Sequence, residues 1–190
     1  MNAGTLALAA GQFGRVMAAI ECAKDGEALG ADEAIAETLA ALRAVRGDGG
    51  SVWIIGNGGS AAVASHIQND LMNKDGIRSQ VLHEPALLTC MSNDFGYDKA
   101  YARLVGHYAR PGDMLIAISS SGRSPNILAA VAAARDHDVR IVTASGFDAA
   151  NPLRAAGGIS FWSPSHDYGE VELSHLFLLH YIADRLADPS

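Results

Sequence analysis

The sequence predicts an α/β chain: a flavodoxin-like three-layer α/β/α sandwich around a five-stranded parallel sheet. Three observations lead there. Five short apolar runs recur, SVWIIG (51–56), SQVLHE (79–84), DMLIAIS (113–119), VRIVTAS (139–145) and GISFWSP (158–164). Each is followed by Gly, Ser, Asn or Pro, and helical patterns lie between them. The runs have apolar centres without strict alternation, which marks strands covered on both faces. Strand–helix alternation of this kind builds a doubly wound parallel sheet.

Two helices lead the chain, about 2–24 and 31–46, separated by the Gly26–Gly30 region. The second spaces Ile35, Leu39, Leu42 and Val45 at helical intervals and stops at GDGG. Further on, Ser124 suits an N-cap and Pro125 the first turn of a helix over 125–136. A closing helix, about 169–187, carries Val171, Leu173, Leu176, Phe177, Leu179, Tyr181, Ile182 and Leu186. That stripe is wider than one sheet can cover, so the closing and leading helices are expected to pack subunits together. The 190 residues suit a single domain over 1–190, with no repeat or linker dividing it.

A formal net charge of −7 excludes a general nucleic-acid surface, which needs clustered Lys and Arg. It leaves anionic ligands open, because backbone amides and hydroxyls hold phosphate without basic side chains. Cys22 and Cys90 lack CxxC partners and are expected to be reduced, small core thiols. No run approaches the ~18 apolar residues of a membrane span. The opening MNAGTLALAAGQFGRV lacks the basic n-region of a signal peptide. The expectation is a cytoplasmic protein with neither membrane nor nucleic acid as partner.

Ligands of doubly wound sheets bind beyond the C-terminal ends of strands, and two turns there have unusual composition. The first is GNGGS, Gly56 to Ser60, whose glycines let the backbone approach an anion at a helix start. It lacks the Lys-Ser/Thr pair and the spacing of nucleotide loops; alone, it is also the composition of an ordinary glycine turn. The second, ISSSGRSPN, places Ser119, Ser120, Ser121 and Ser124 before a helix. Four hydroxyls around one helix start make a neutral phosphate cradle, with a polar cap on a solvated loop as the plainer reading. A third cluster sets His66 and Asp70 at i and i+4 on one helix face, able to reach a metal or substrate, or simply an exposed pair. On the closing helix, Glu172 and His180 lie eight residues apart, about 12 Å. They can converge only through a centrally placed ion or substrate. His175 fits the core.

Together these pieces resemble the sugar isomerase (SIS) domain family, and within it the phosphoheptose isomerases. GNGGS with the S-x-S-G-x-S of 119–124 carries the family resemblance, while NDFGY (93–97) and the paired histidines of the last helix carry the branch. The resemblance implies conversion of sedoheptulose 7-phosphate to D-glycero-D-manno-heptose 7-phosphate through an enediol, feeding heptose into lipopolysaccharide, capsule or related glycans. It implies a homotetramer with active sites at subunit contacts, and a divalent metal, zinc foremost, with manganese or iron also compatible with the donors. Carried over by position, Asn57, Gly58, Gly59, Asn93, Asp94 and Glu172 contact sugar, and Ser60, Ser119, Ser120, Ser121 and Ser124 hold phosphate. His66, Asp70, Glu172 and His180 take the metal positions, and Asp70, Glu172 and His180 the catalytic ones. Asp70 is the preferred base, Glu172 its substitute if Asp70 is committed to metal, and His180 the acid. The branch carries Glu where this chain has Asp70 and Gln where it has Glu172, an exchange of carboxylate length between two helices. Other readings are an isomerase of a different phosphosugar and a non-catalytic sensing or protein-binding module; retention of His180 favours an enzyme.

Overall fold

The structure, a computed structural model, describes residues 4–187; residues 2 and 3 of the expected first helix lie outside them. Five parallel strands form where the apolar runs stand: β3 (Ser51–Ile55), β4 (Arg78–Val81), β5 (Met114–Ser119), β6 (Arg140–Ser145) and β7 (Ile159–Trp162). In chain order these five lie 2-1-3-4-5 across the sheet, the flavodoxin arrangement. The order reverses between β3 and β5, so the crevice of the fold opens at the ends of those two strands. GNGGS follows β3 and the serine run follows β5.

Two further strands correct the expected sheet from five to seven among the described residues. The first helix, α1 (Leu6–Ala18), ends early, and β1 (Glu21–Lys24) and β2 (Glu27–Leu29) form an antiparallel hairpin. Its two-residue turn is Asp25-Gly26, both with positive φ, the geometry that Asp-Gly favours and that matches strand twist. β1 then pairs antiparallel with β7 and covers that edge of the sheet.

The remaining helices are α2 (Ala31–Gly47), α3 (Gly59–Asn73), α4 (Pro85–Phe95), α5 (Tyr97–Tyr108), α6 (Pro125–Asp136), α7 (Pro152–Ala156) and α8 (Tyr168–Ala187). Side chains alternate along each inner strand between two cores. Val52 and Ile54 of β3, with Ile116 and Ile118 of β5, meet Leu42 of α2, Ile67 of α3 and Leu179 of α8. Trp53, Ile55, Leu115 and Ala117 meet Tyr101 and Leu104 of α5 and Ile127 of α6 on the other face. Burying one such side chain is worth ~1.5–3 kcal/mol, so both faces contribute.

The sheet's base is tied by one carboxylate. Asp113, 6% exposed, accepts from the Ser51 amide at 2.8 Å, Trp53 Nε1 at 2.9 Å and the Arg110 amide at 3.0 Å. At the outer surface the expected excess of apolar surface is present. Leu173, Phe177 and Tyr181 of α8, and Leu6 and Leu8 of α1, are exposed. Cys22 is buried as expected, but Cys90 is exposed on α4, and both are free thiols. α4 buries none of its residues fully, so its cysteine has no core to enter. No helix among the described residues is long and apolar enough to cross a membrane.

His175 sits in this core on α8. Its Nε2 lies 3.0 Å from the Ser145 carbonyl and so carries the proton; Nδ1 is buried without a partner among the described residues. Burial outweighs that hydrogen bond and lowers its pKa from the usual 6.5 to about 4. Above pH 6.5 neither state binds the proton. Between 6.5 and about 4 only the unfolded chain does, so stability falls as pH falls. The full loss is roughly 3 kcal/mol. Urea midpoints at successive pH values are expected to fall through this window, with His175→Gln flattening the slope.

Candidate active site at the sheet switch point

Both helices that start at the crevice leave their first turns free of a side-chain cap. Gly58, the residue before α3, has φ 55° and ψ −123°, a region essentially reserved for glycine. Ser124 stands at the N-cap of α6 as expected, yet makes no cap bond; its hydroxyl turns to Ser119 Oγ, 3.2 Å away. Two helix N-termini therefore face one crevice, where their dipoles favour an anion.

Between them lies a cavity of about 140 Å³ lined by Asn57, Ser60, Ser119, Ser120, Ser121, Ser124, Tyr168 and Glu172. No Lys or Arg lines it. The Ser120 hydroxyl is buried without a partner among the described residues, an unsatisfied group that a ligand oxygen would relieve. Arg123 instead pairs with Asp148 at 2.6 Å on the exposed side. Glu172 reaches the cavity by lying against Gly59, where a Cβ would overlap its carboxylate.

Asn57 is held from two directions. Its amide exchanges hydrogen bonds with that of Asn126 at 3.0 and 2.9 Å, and Tyr97 OH donates to its Oδ1 at 2.7 Å. The pair with Asn126 spans the switch point and joins the two ligand loops. Asn126 and Tyr97 escaped the sequence reading although both stood inside quoted motifs; their partner lies 69 and 40 positions away.

The second centre lies farther along α3 and α8. Asp70, buried, accepts from His180 Nδ1 at 2.6 Å; His66 Nε2 is 3.4 Å from the same Oδ2, and Lys74 Nζ is 3.3 Å from Oδ1. One ligand atom from each of His66, Asp70 and His180 lies within 4.8 Å of the others. Two imidazoles and a carboxylate suit a catalytic zinc and leave a position open, so the residues fit the implied ion. Glu172 is not in this group. It stands eight residues back on α8, about 12 Å, so within one chain the expected four-member set reduces to three, with Glu172 at the serine cavity.

An outer ring surrounds the group. Lys74 Nζ bonds Asp184 Oδ1 at 2.8 Å, and Asp184 Oδ2 stands 3.4 Å from His180 Nε2. The Lys74 bond lowers the Asp184 pKa, and Asp184 in turn raises that of Lys74. Asn93 and Asp94 stand apart on α4. Asn93 donates to Asp94, which also receives the Cys90 thiol, and neither lines the serine cavity.

The SIS domain family model matches residues 15–146. The phosphoheptose isomerase of Aromatoleum aromaticum is 34% identical over 143 residues, which cover 71% of this chain and 72% of that one. The chain belongs to the SIS domain family, in its phosphoheptose isomerase branch. A second phosphoheptose isomerase, from Bordetella avium, is 32% identical over 173 residues, 86% of each chain. The structure of phosphoheptose isomerase GmhA from Neisseria gonorrhoeae superposes with a TM-score of 0.80 at 25% identity, covering 95% of this SIS chain and 97% of that one. The fold is thus the SIS fold, with helices on both faces of a sheet whose parallel part has five strands.

Tyr168 is another lining residue of this SIS site that the sequence reading did not single out. Its ring packs edge-on to Phe147 at 4.8 Å, and Phe147 stacks on His166 at 5.8 Å. Phe147 has φ 57°, a strained value for a bulky residue. Tyr168 lines the cavity and the other two rings back it; only the folded loops after β6 and β7 bring the trio together.

Proposed function

We propose that the protein is an aldose–ketose isomerase converting sedoheptulose 7-phosphate to D-glycero-D-manno-heptose 7-phosphate through an enediol. One observation carries the reading. The hydroxyl cradle, through Ser60 and Glu172, and the acid–base cluster of His66, Asp70 and His180 are both reached by α3 and α8, about one sugar length apart. Glu172 at the cradle and His180 in the cluster are eight residues apart on α8, about 12 Å. Ser60 and His66 are six apart on α3, about 9 Å. In an extended seven-carbon sugar, C1 and the terminal phosphorus are separated by eight bonds, roughly 9–10 Å at about 1.2 Å per bond. A five-carbon chain falls ~2 Å short, and misplacement of that order costs ~100-fold or more in rate.

The two helix starts and the serine hydroxyls bind the phosphate, and that remote binding energy aligns the reacting carbons. Asp70 is the base that takes the C1 proton of the ketose. His180 acts through Nε2, the ring nitrogen that a cation at Nδ1 would leave free and that faces Asp184. It supplies a proton to O2, completing the enediol, then takes the O1 proton while the carbon proton is returned to C2. A 2.6 Å hydrogen bond joins Asp70 and His180 and fixes their relative orientation. Glu172 contacts sugar hydroxyls near the phosphate. His66, Asp70 and His180 would hold a divalent cation, zinc first and manganese or iron as alternatives, which when bound polarises the carbonyl. The exposed apolar faces of α1 and α8 support a homotetramer, and the reading places it in the cytoplasm, supplying heptose for glycan assembly.

The test is a mass-spectrometric isomerase assay with sedoheptulose 7-phosphate on metal-free protein and with zinc or manganese restored. Metal-dependent turnover is expected. Binding without turnover under every metal would overturn the enzyme reading in favour of a sensor.

A further inference from the structure

Both ring nitrogens of His180 face carboxylates: Nδ1 meets Asp70 Oδ2 at 2.6 Å and Nε2 stands 3.4 Å from Asp184 Oδ2. An ionised carboxylate only accepts, so the short Nδ1 contact requires a proton on Nδ1. A cation in the His66–Asp70–His180 group needs that nitrogen's lone pair. The ring can offer it only with its remaining proton on Nε2, and Asp184 is the acceptor standing there. Lys74 fixes that acceptor. Its ammonium bonds Asp184 Oδ1 at 2.8 Å and approaches Asp70 Oδ1 at 3.3 Å, leaving the Oδ2 atom of each aspartate toward His180.

We propose that Asp184 is a positioning residue for the cation group, orienting His180 through Nε2, and that Lys74 holds Asp184 in that role. This rests on the cation reading above. An outer-ring carboxylate on a ligating imidazole fixes its tautomer and raises its basicity, and its loss typically lowers metal affinity about 10- to 100-fold. Neither residue is adjacent in sequence to the histidine it serves. The link runs from the C-cap of α3 to the turn of α8 that follows His180.

The experiment is cobalt(II) titration of the full chain by visible absorption, in about 0.5 M salt so that exposed charge–charge effects are screened. Asp184→Ala is expected to weaken cobalt binding about 10- to 100-fold. Asp184→Asn is expected to recover part of the loss, since its amide oxygen still accepts from Nε2. In the zinc form, nitrogen-15 spectra are expected to show the His180 proton on Nε2. Equal cobalt affinity in wild type and Asp184→Ala overturns the role of Asp184 while leaving the cation reading intact. A wild type that binds neither cobalt nor zinc overturns the cation reading itself, and the inference with it.

Discussion

His180→Ala is expected to lower kcat for sedoheptulose 7-phosphate by about 10²- to 10⁴-fold, the range for losing a general acid–base group. Inhibition by inorganic phosphate is expected to stay within about twofold of wild type, because Glu172, the α8 residue at the serine cavity, stands ~12 Å back along the helix. The separation of these readouts is the point of the experiment. In the structure His180 touches Asp70 at 2.6 Å and shares no hydrogen bond with the serine loop. A variant with near-normal kcat would remove His180 from the chemistry. A variant with normal kcat but weakened phosphate inhibition would reverse the assignment of the two centres. The substitution also removes one imidazole from the cation group, so the assay is run at saturating zinc and repeated without it.

Asp113→Ala carries the largest expected loss of stability. The Ser51 amide, the Trp53 indole and the Arg110 amide would all lose their acceptor. Each buried orphan costs ~1–3 kcal/mol. Allowing for water entering the vacated space, the sum is about 3–5 kcal/mol, a large share of the ~5–15 kcal/mol that holds a domain folded. Asp113→Asn keeps the shape and one acceptor oxygen, which can still serve Trp53 Nε1 and the Arg110 amide while its NH₂ faces only the Ser51 amide, so less than about half the loss is expected. Urea unfolding monitored by tryptophan fluorescence and by circular dichroism would read both. A loss under about 1 kcal/mol for Asp113→Ala would mean that these donors find other partners.

The parallel sheet was legible because its central strands are buried on both faces. β3 and β5 are buried at every position, so their sequences carry no competing polar signal. The hairpin was not legible in the same way. β1 buries only Cys22 fully, and its Glu21 and Lys24 read as the polar face of a continuing helix. The Asp25-Gly26 pair was the signal that could have divided that helix. Among site residues, the contiguous ones were readable: the serines share one turn, and His66 with Asp70 share one helix face. Residues joined only by tertiary packing were hidden. Asp184 meets Lys74 across 110 positions; the i,i+4 spacing of Asp70 to Lys74 and of His180 to Asp184 was readable in the sequence, but not the contact that joins the two pairs. Glu172 shows the converse limit, since its helix was placed correctly but the depth at which it meets the crevice was set by packing on Gly59.

The pairing of β1 with β7 also bears on how the chain is assembled in time. Cys22 lies opposite Phe161 and Glu21 opposite Trp162, so the second element made during synthesis has its neighbour near the far end. β3 to β6 can zip into a sheet with helices as they emerge, whereas the Asp25-Gly26 ribbon must wait for β7. An isolated two-stranded ribbon is at best marginally stable in water, and contacts this distant in sequence are slow to close. The N-terminal ribbon therefore docks only after β7 is made, and its release would bare the edge of β7 to other chains.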